Sequence, residues 1–478
     1  MNYILFFPDE LRAKSLSCYG HSTISTPAFD RLASEGTLFE ECHVQNPVCS
    51  PSRCSLFTGT YVHTLGHRTL WNLLKPHEHN MLEVFKDAGY QVHVYGKNDL
   101  FSPEAMTRST DIFENRRGRS KPWPKNTAAF GEPGYYDFIY EPLEGTPEDT
   151  NDWANVEAGL DLIRSWKPGD KPYVLFLPLT LPHCPYTVPE PYYSMYDEAD
   201  IESLLPPTES KADYMNLIRD YRQLSDPEKL KKVQALYMGM VSYTDMLLGR
   251  VMDTLDSCGQ HDNTVLIAAS DHGDYAGDYG LVEKWPSGLE DVLTHVPLLI
   301  RAPGGAAGHR VSEPVELFDI MATCLDHAGL QARHTHFAQS LLPQLMGSSG
   351  DPDRAVFTEG GYDPHEPHCS EGTLRPSTEF LLKPEFLYYP KCIQQHDHPA
   401  SVCRSIAMRT ARYKLIRRSM APNEFYDLQE DPGELDNRYD DPQLQSIIRQ
   451  MESRLMDWYL TTSDIVPIEE NDRGMQAQ

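Results

Sequence analysis

Positive charge is scarce in this 478-residue chain. Lys and Arg number 42 against 70 Asp and Glu, a formal net charge of -28. Nucleic acid is therefore excluded as the natural partner, because phosphate neutralisation needs clustered cations. An anionic substrate would have to be drawn in by a few local cations, since the distant field repels it. Long hydrophobic runs are absent too, so no membrane span is expected. Met1-Asn2-Tyr3 leads straight into Ile4-Leu5-Phe6-Phe7 with no basic region before it and no small-residue cleavage site after it, unlike a secretory leader. The sequence as written is expected to be cytoplasmic. The 10 cysteines show no disulfide-like spacing, which agrees with reduced thiols. Internal repeats, low-complexity tracts and the C-x-x-C and H-E-x-x-H spacings are all missing.

What is present reads as a soluble globular protein, 40% hydrophobic and 23% charged. Tyr3 to Phe7 is an apolar run suited to a strand buried on both faces. Further strands are expected over 91–95, 173–179, 264–269 and 297–300. They alternate with helices over 27–35, 81–88, 153–166, 227–255 and 319–328. This alternation predicts an α/β fold with a largely parallel sheet flanked by helices. Residues 101–150 read as surface loops. Met346 to Gly350 reads as a linker. It separates a domain over 1–346 from a smaller α+β subdomain over 347–478, with short strands near 406–409 and 413–416 and a final helix over 442–459.

One stretch stands out: Cys49-Ser50-Pro51-Ser52-Arg53-Cys54-Ser55-Leu56-Phe57-Thr58-Gly59. A proline suits the first turn of a helix, and Gly59 suits its end. A helix from Pro51 to Thr58 is expected, with Cys49 or Ser50 as its cap. Cys49 would then face free N–H groups and the positive end of the helix dipole, with Arg53 one turn inside. Three readings are open from these residues: an ordinary buried thiol, an activated thiolate, or a modified catalytic residue.

Asp9-Glu10 and Asp271-His272 each follow a buried strand, on the sheet edge where ligands bind in open α/β folds. Carboxylates and an imidazole gathered there form a ligand set for a divalent cation. Lys97, His183 and Lys284 also follow strands. His63 and His67 lie just past the signature, in structural or catalytic roles, and Trp71 is a candidate pocket wall. A second group, Asp363, His365, His368, Cys369, Cys392, His396, His398 and Cys403, has no zinc-site spacing and reads as an irregular loop shaping the substrate entrance.

The C-S-P-S-R stretch with L-F-T-G after it resembles the signature of the type I sulfatases of the alkaline phosphatase superfamily. G-K at 96–97, P-H-x-P-Y at 182–186, Asp271-His272, Lys284 and the segment from Arg409 to Leu428 extend the resemblance over nearly the whole chain. Thr60 replaces the usual arginine, and Asp99 stands where a histidine is common. The resemblance implies an alkaline phosphatase-like fold and a sulfuric ester hydrolase. Cys49 would be converted to formylglycine by a maturation enzyme. One hydroxyl of its hydrate would attack sulfur and the other would expel sulfate. A single metal, usually Ca2+ with Mn2+ or Mg2+ open, would be held by Asp9, Glu10, residue 49, Asp271 and His272. Arg53 and Lys97 would hold the diol, while Lys284 and His183 would bind sulfate and help protonate the leaving alcohol. The implied substrate is a small or saccharide sulfate ester. Phosphonate monoester or phosphodiester hydrolysis with the same machinery is the nearest alternative, and a non-catalytic binding protein on this fold is a further one.

Overall fold

A computed structural model describes residues 1–119, 124–201, 204–224, 226–363, 365–366 and 379–468. Its strands are β1 (Asn2–Phe7), β2 (Thr37–His43), β3 (Gln91–Tyr95), β4 (Ile112–Glu114), β5 (Tyr173–Pro178), β6 (Thr264–Ala269), β7 (His295–Arg301), β8 (His309–Val311), β9 (Val315–Glu316), β10 (Val356–Gly360), β11 (Ser405–Arg409), β12 (Tyr413–Arg418) and β13 (Glu424–Asp427). The first nine form one sheet in the order β4-β3-β5-β1-β6-β7-β2-β8, with β9 also on β2. Only β7 runs against its neighbours. The central strand β1 lies between β5 and β6, parallel to both, and every residue of it is buried. Continuous apolarity is what a strand covered on both faces requires.

The long helix Pro227–Ser257 packs on one face of the sheet, against the helices Pro27–Glu35 and Asn151–Ser165. On the other face lie the helix Cys49–Thr58 and the helix Asp319–His327. No described helix is long and apolar enough to cross a membrane. All nine cysteines among the described residues are free thiols.

Strands β10 to β13 form an antiparallel four-stranded sheet. The helix Gln445–Thr462 packs on it. This unit shares its core with the main sheet. Trp458 stacks on Phe357 at 4.4 Å and meets Tyr61 edge-on at 4.8 Å. Met408, Leu415 and Phe425 join the same apolar cluster as Leu5 and Leu56.

Three expectations change. The 101–150 region is not all loop. It holds a helix, Pro103–Ser109, and the edge strand β4. Ser102 Oγ caps that helix by accepting from Ala105 N, and Pro103 opens it. The signature helix starts at Cys49, two residues earlier than expected, with Val48 as its cap. Pro51 is tolerated there because the first four N–H groups of a helix have no partner within it. The 360–403 region holds a helix, Tyr389–Asp397, with Cys392 buried in it.

Candidate active site

The ends of β1 and β6 present Asp9 and Asp271 side by side. The loops that follow are tied to each other. Ser270 Oγ donates to Pro8 O at 2.9 Å and accepts from Leu11 N, also at 2.9 Å. Glu10 carries a left-handed backbone, φ 68°, a conformation that costs a non-glycine residue about 1 kcal/mol. It is held there by Glu10 N donating to Asp271 Oδ1 at 3.2 Å and by Tyr237 OH donating to Glu10 O at 2.6 Å.

The signature helix brings its N-terminus to the same point, and all ten of its residues are buried. Ser52 Oγ donates to Asp271 O at 2.7 Å, docking the first turn on the β6 loop. Arg53 spans the two carboxylates, Nε to Asp271 Oδ2 at 2.8 Å and Nη2 to Asp9 Oδ2 at 2.9 Å. Lys97 Nζ reaches the same Asp9 oxygen at 2.7 Å and Asp99 at 2.8 Å. Gly96 makes that approach possible. With φ 143°, its missing Cβ would lie 2.0 Å from Pro178 O.

These contacts leave the inner oxygens of Asp9 and Asp271 turned toward Cys49. Cys49 Sγ is 3.7 Å from Asp9 Oδ1 and 3.2 Å from His272 Nε2. His272 Nδ1 is 2.8 Å from Gly273 O, so that nitrogen carries the proton and Nε2 offers its lone pair. Asp9, Cys49, Asp271 and His272 each place a ligand-type atom within 4.8 Å of the others, and all four residues are buried. Two carboxylates, a neutral imidazole and a fourth donor in one dry cluster fit a divalent cation.

Electrostatics follow from burial and from these partners. Burial opposes charge on Asp9, but the Lys97 and Arg53 cations overcome it and hold its carboxyl well below the usual range. Burial, with Asp9 nearby, drives the Cys49 thiol well up.

Glu10 does not join the four-residue group. Its carboxylate turns to Lys284 Nζ, and His183 Nε2 lies 3.3 Å away. Lys284 Nζ donates to His183 Nε2 at 3.0 Å. His183 Nδ1 in turn meets Cys184 O. Burial, then Lys284 and Lys97, push the His183 pKa well down, which keeps the imidazole neutral. Burial works against the Lys284 charge, yet Cys49, Glu10 and Glu283 raise its pKa well above the ordinary lysine value. The structure therefore gathers Cys49, Arg53, Lys97, Asp9, Asp271 and His272 at one point, with Glu10, His183 and Lys284 as an adjoining cluster.

The other candidates sit elsewhere. His63 Nδ1 is 2.6 Å from Glu359 and Nε2 is 3.0 Å from Thr462 Oγ1, a pairing that ties the loop to the last helix. His67 Nδ1 is 2.6 Å from Asn72 O, and Nε2 is 3.3 Å from Glu78. Both have structural partners. Trp71 is half-exposed. His368 and Cys369 lie outside the described residues. Among the described residues, Asp363, His365, Cys392, His396, His398 and Cys403 form no metal-ligand group. Sequence reasoning missed Glu283, Tyr388 and Lys391, which back the Lys284 side of the site. Glu283 adjoins Lys284 in the chain, but the other two had no local signal.

The family model for "Sulfatase" matches residues 1–330, and that for "N-sulphoglucosamine sulphohydrolase, C-terminal" matches residues 383–460. Human iduronate 2-sulfatase is 27% identical, over 73% of this chain and 69% of that protein. The multifunctional alkaline phosphatase superfamily protein PehA of Trinickia caryophylli is 26% identical, over 96% of this chain and 93% of its own. Among solved structures, the phosphonate monoester hydrolase of Agrobacterium radiobacter superposes with a TM-score of 0.76 at 22% identity, covering 96% of both chains. Likeness at that identity speaks for the fold, which is alkaline phosphatase-like. With the family model spanning more than half of its length, and the signature helix, the paired aspartates and His272 assembled at its sheet edge, the chain belongs to the sulfatase family.

Proposed function

We propose that this protein hydrolyses a sulfate ester, with residue 49 as formylglycine and one divalent metal. The observation that carries this reading is the convergence of Cys49 with Asp9, Asp271 and His272 while Arg53 and Lys97 neutralise the outer carboxylate oxygens. A cysteine thiol, buried as Cys49 is, is a poor group for repeated sulfuryl transfer, because its adduct has no easy second step. Formylglycine supplies a hydrated aldehyde, whose paired hydroxyls divide the transfer into two easier steps. Asp9, Asp271, His272 and residue 49 would hold the metal, which would supply positive charge against the ester oxygens, and calcium, manganese and magnesium all suit these donors.

The remaining roles belong to the chain itself. Arg53 keeps one buried nitrogen, Nη1, without a protein partner. It is a donor left over for an oxygen at residue 49. Lys97 and Lys284 supply the local positive charge that offsets the repulsive field of the whole molecule. His183 accepts from Lys284 and so orients the ammonium. Lys284 is the proton donor to the leaving alcohol. A sulfated sugar or other small organic sulfate is the proposed substrate class.

Phosphonate monoester or phosphodiester hydrolysis is the second reading. It is favoured by the nearly full-length match to a relative whose name says multifunctional, against a shorter match to iduronate 2-sulfatase. The test is turnover of 4-nitrophenyl sulfate and of an aryl phosphonate monoester by protein in which mass spectrometry shows formylglycine at position 49. Faster turnover of the sulfate supports the first reading. Faster turnover of the phosphonate replaces it with the second. Full activity in Cys49→Ser removes both.

A further inference from the structure

Glu283 is a buried carboxylate with three cations on it. Its Oε1 is 2.9 Å from Lys391 Nζ and 3.4 Å from Lys284 Nζ, while its Oε2 is 3.1 Å from Arg222 Nη2. The side chains of all four residues are nearly inaccessible. The backbone at Glu283 is left-handed, φ 64°. Tyr186 OH accepts from Glu283 N at 3.0 Å, Asp274 Oδ1 accepts from it at 3.1 Å, and Glu283 O accepts from Tyr275 N at 3.0 Å. A strained, fully buried residue fixed this tightly costs free energy, and such strain persists where the surroundings over-determine it.

The partners come from distant parts of the chain. Arg222 ends the helix Tyr214–Arg222 and lies over the Phe138 ring at 4.8 Å. Lys391 lies in the helix Tyr389–Asp397. Just before that helix, Tyr388 packs edge-on against Phe138 at 5.1 Å and brings its hydroxyl 3.5 Å from Cys184 Sγ, beside His183. One carboxylate thus ties the Lys284 ammonium to the segment that walls the His183 side of the site.

We propose that Glu283 is a positioning residue. It aims the Lys284 ammonium at the departing ester oxygen and, through Lys391, locks the Tyr388 segment against the leaving-group side of the pocket. This rests on the sulfate-ester reading above. In the step concerned, the bond between sulfur and the bridging oxygen breaks and the sulfuryl group passes to the nucleophile at residue 49. A proton from Lys284 Nζ moves to the bridging oxygen and the alcohol leaves neutral, while the hydroxyl at residue 49 gives up its proton as it takes the sulfuryl group, and that proton, passed through water, restores the Lys284 ammonium.

An acid that is well aimed matters most when the leaving group is poor. The test is kcat/KM for a series of aryl sulfates from 4-nitrophenyl to unsubstituted phenyl, with formylglycine content and melting temperature measured for each variant. Glu283→Gln is expected to lose roughly threefold on the nitrophenyl ester and roughly 100-fold on the phenyl ester, the loss carried by kcat. Lys391→Gln, which leaves the carboxylate in place, is expected to show the same trend more weakly, and Lys391→Arg to restore it. A loss that is uniform across the series, or no loss, overturns the proposal. If Glu283→Gln does not fold, a flat profile for Lys391→Gln does the same. If the wild-type protein turns over no aryl sulfate although position 49 is formylglycine, the sulfate-ester reading itself has failed and takes this proposal with it.

Discussion

Arg53 Nε donates to Asp271 Oδ2 at 2.8 Å with both side chains wholly buried, and the same guanidinium holds Asp9. Two carboxylates from two strands thus share one cation fixed on a helix. Removing one member of a buried pair leaves uncompensated charge and costs about 3–5 kcal/mol. Arg53→Met is therefore expected to melt well below the wild type. A divalent cation would replace the lost charge, so millimolar calcium should raise the melting temperature of the variant more than that of the wild type. Equal shifts in thermal unfolding would show that the carboxylates do not face a common cation site.

Asp271 joins the candidate metal cluster to the signature helix, since its backbone oxygen accepts from Ser52 Oγ and its carboxylate from Arg53. Asp271→Asn keeps the volume and one acceptor while removing the charge. It is expected to lower metal content below half and activity at least about 100-fold, with chelator treatment of the wild type giving the same loss. Elemental analysis of the purified variant checks it. Stoichiometric metal there would place the ligand set elsewhere.

Gly96 has φ 143°, and a Cβ there would collide with Pro178 O, the same oxygen that accepts from Lys97 N at 2.9 Å. Gly96→Ala must push β3 and β5 apart and so move Lys97 off Asp9. Loss of activity about tenfold or greater is expected, at a smaller cost in stability than a core cavity would bring. Kinetics beside calorimetry on the variant separate the two effects.

Asp245, on the long helix Pro227–Ser257, accepts from the backbone N of Ala28 and of Phe29, both at 2.9 Å. Burial, opposed by those two bonds, raises its pKa from 3.8 to about 7. A raised folded-state value means that the folded protein holds the proton more tightly. Its stabilising contribution is complete below about pH 4 and is lost as pH rises toward 7. Asp245→Asn retains the acceptor and cannot ionise. It is expected to match the wild type near pH 4 and to exceed it by a few kcal/mol at pH 8. Denaturant titrations at the two pH values decide it, and a pH-independent difference would contradict the assignment.

Much of the fold was legible because its strands are continuous apolar runs. Tyr3–Phe7 and Thr264–Ala269 announce themselves, and the acids after them mark the ligand edge. Short edge elements were not legible. Strands β4, β8 and β9 have two or three residues each, too few to show a period, and they exist because a neighbour offers its free edge. The second sheet was visible only in part, since Val356–Gly360 reads as strand only once β11 pairs with it.

The sequence alone determined the local features around residue 49: a cysteine at the head of a proline-bearing helix with an arginine one turn on, and acids at the ends of two buried strands. Those are local facts, carried by residue type and spacing. Only the tertiary structure decided which acid joins Cys49, Asp271 and His272 and which faces the lysine. Asp9 and Glu10 are adjacent in the chain, but the left-handed backbone at Glu10 sends its carboxylate to Lys284 instead. The same holds for Glu283, whose partners Arg222 and Lys391 lie 61 and 108 residues away. Buried charge must be compensated by whatever the fold brings near it, and sequence spacing carries no record of that distance.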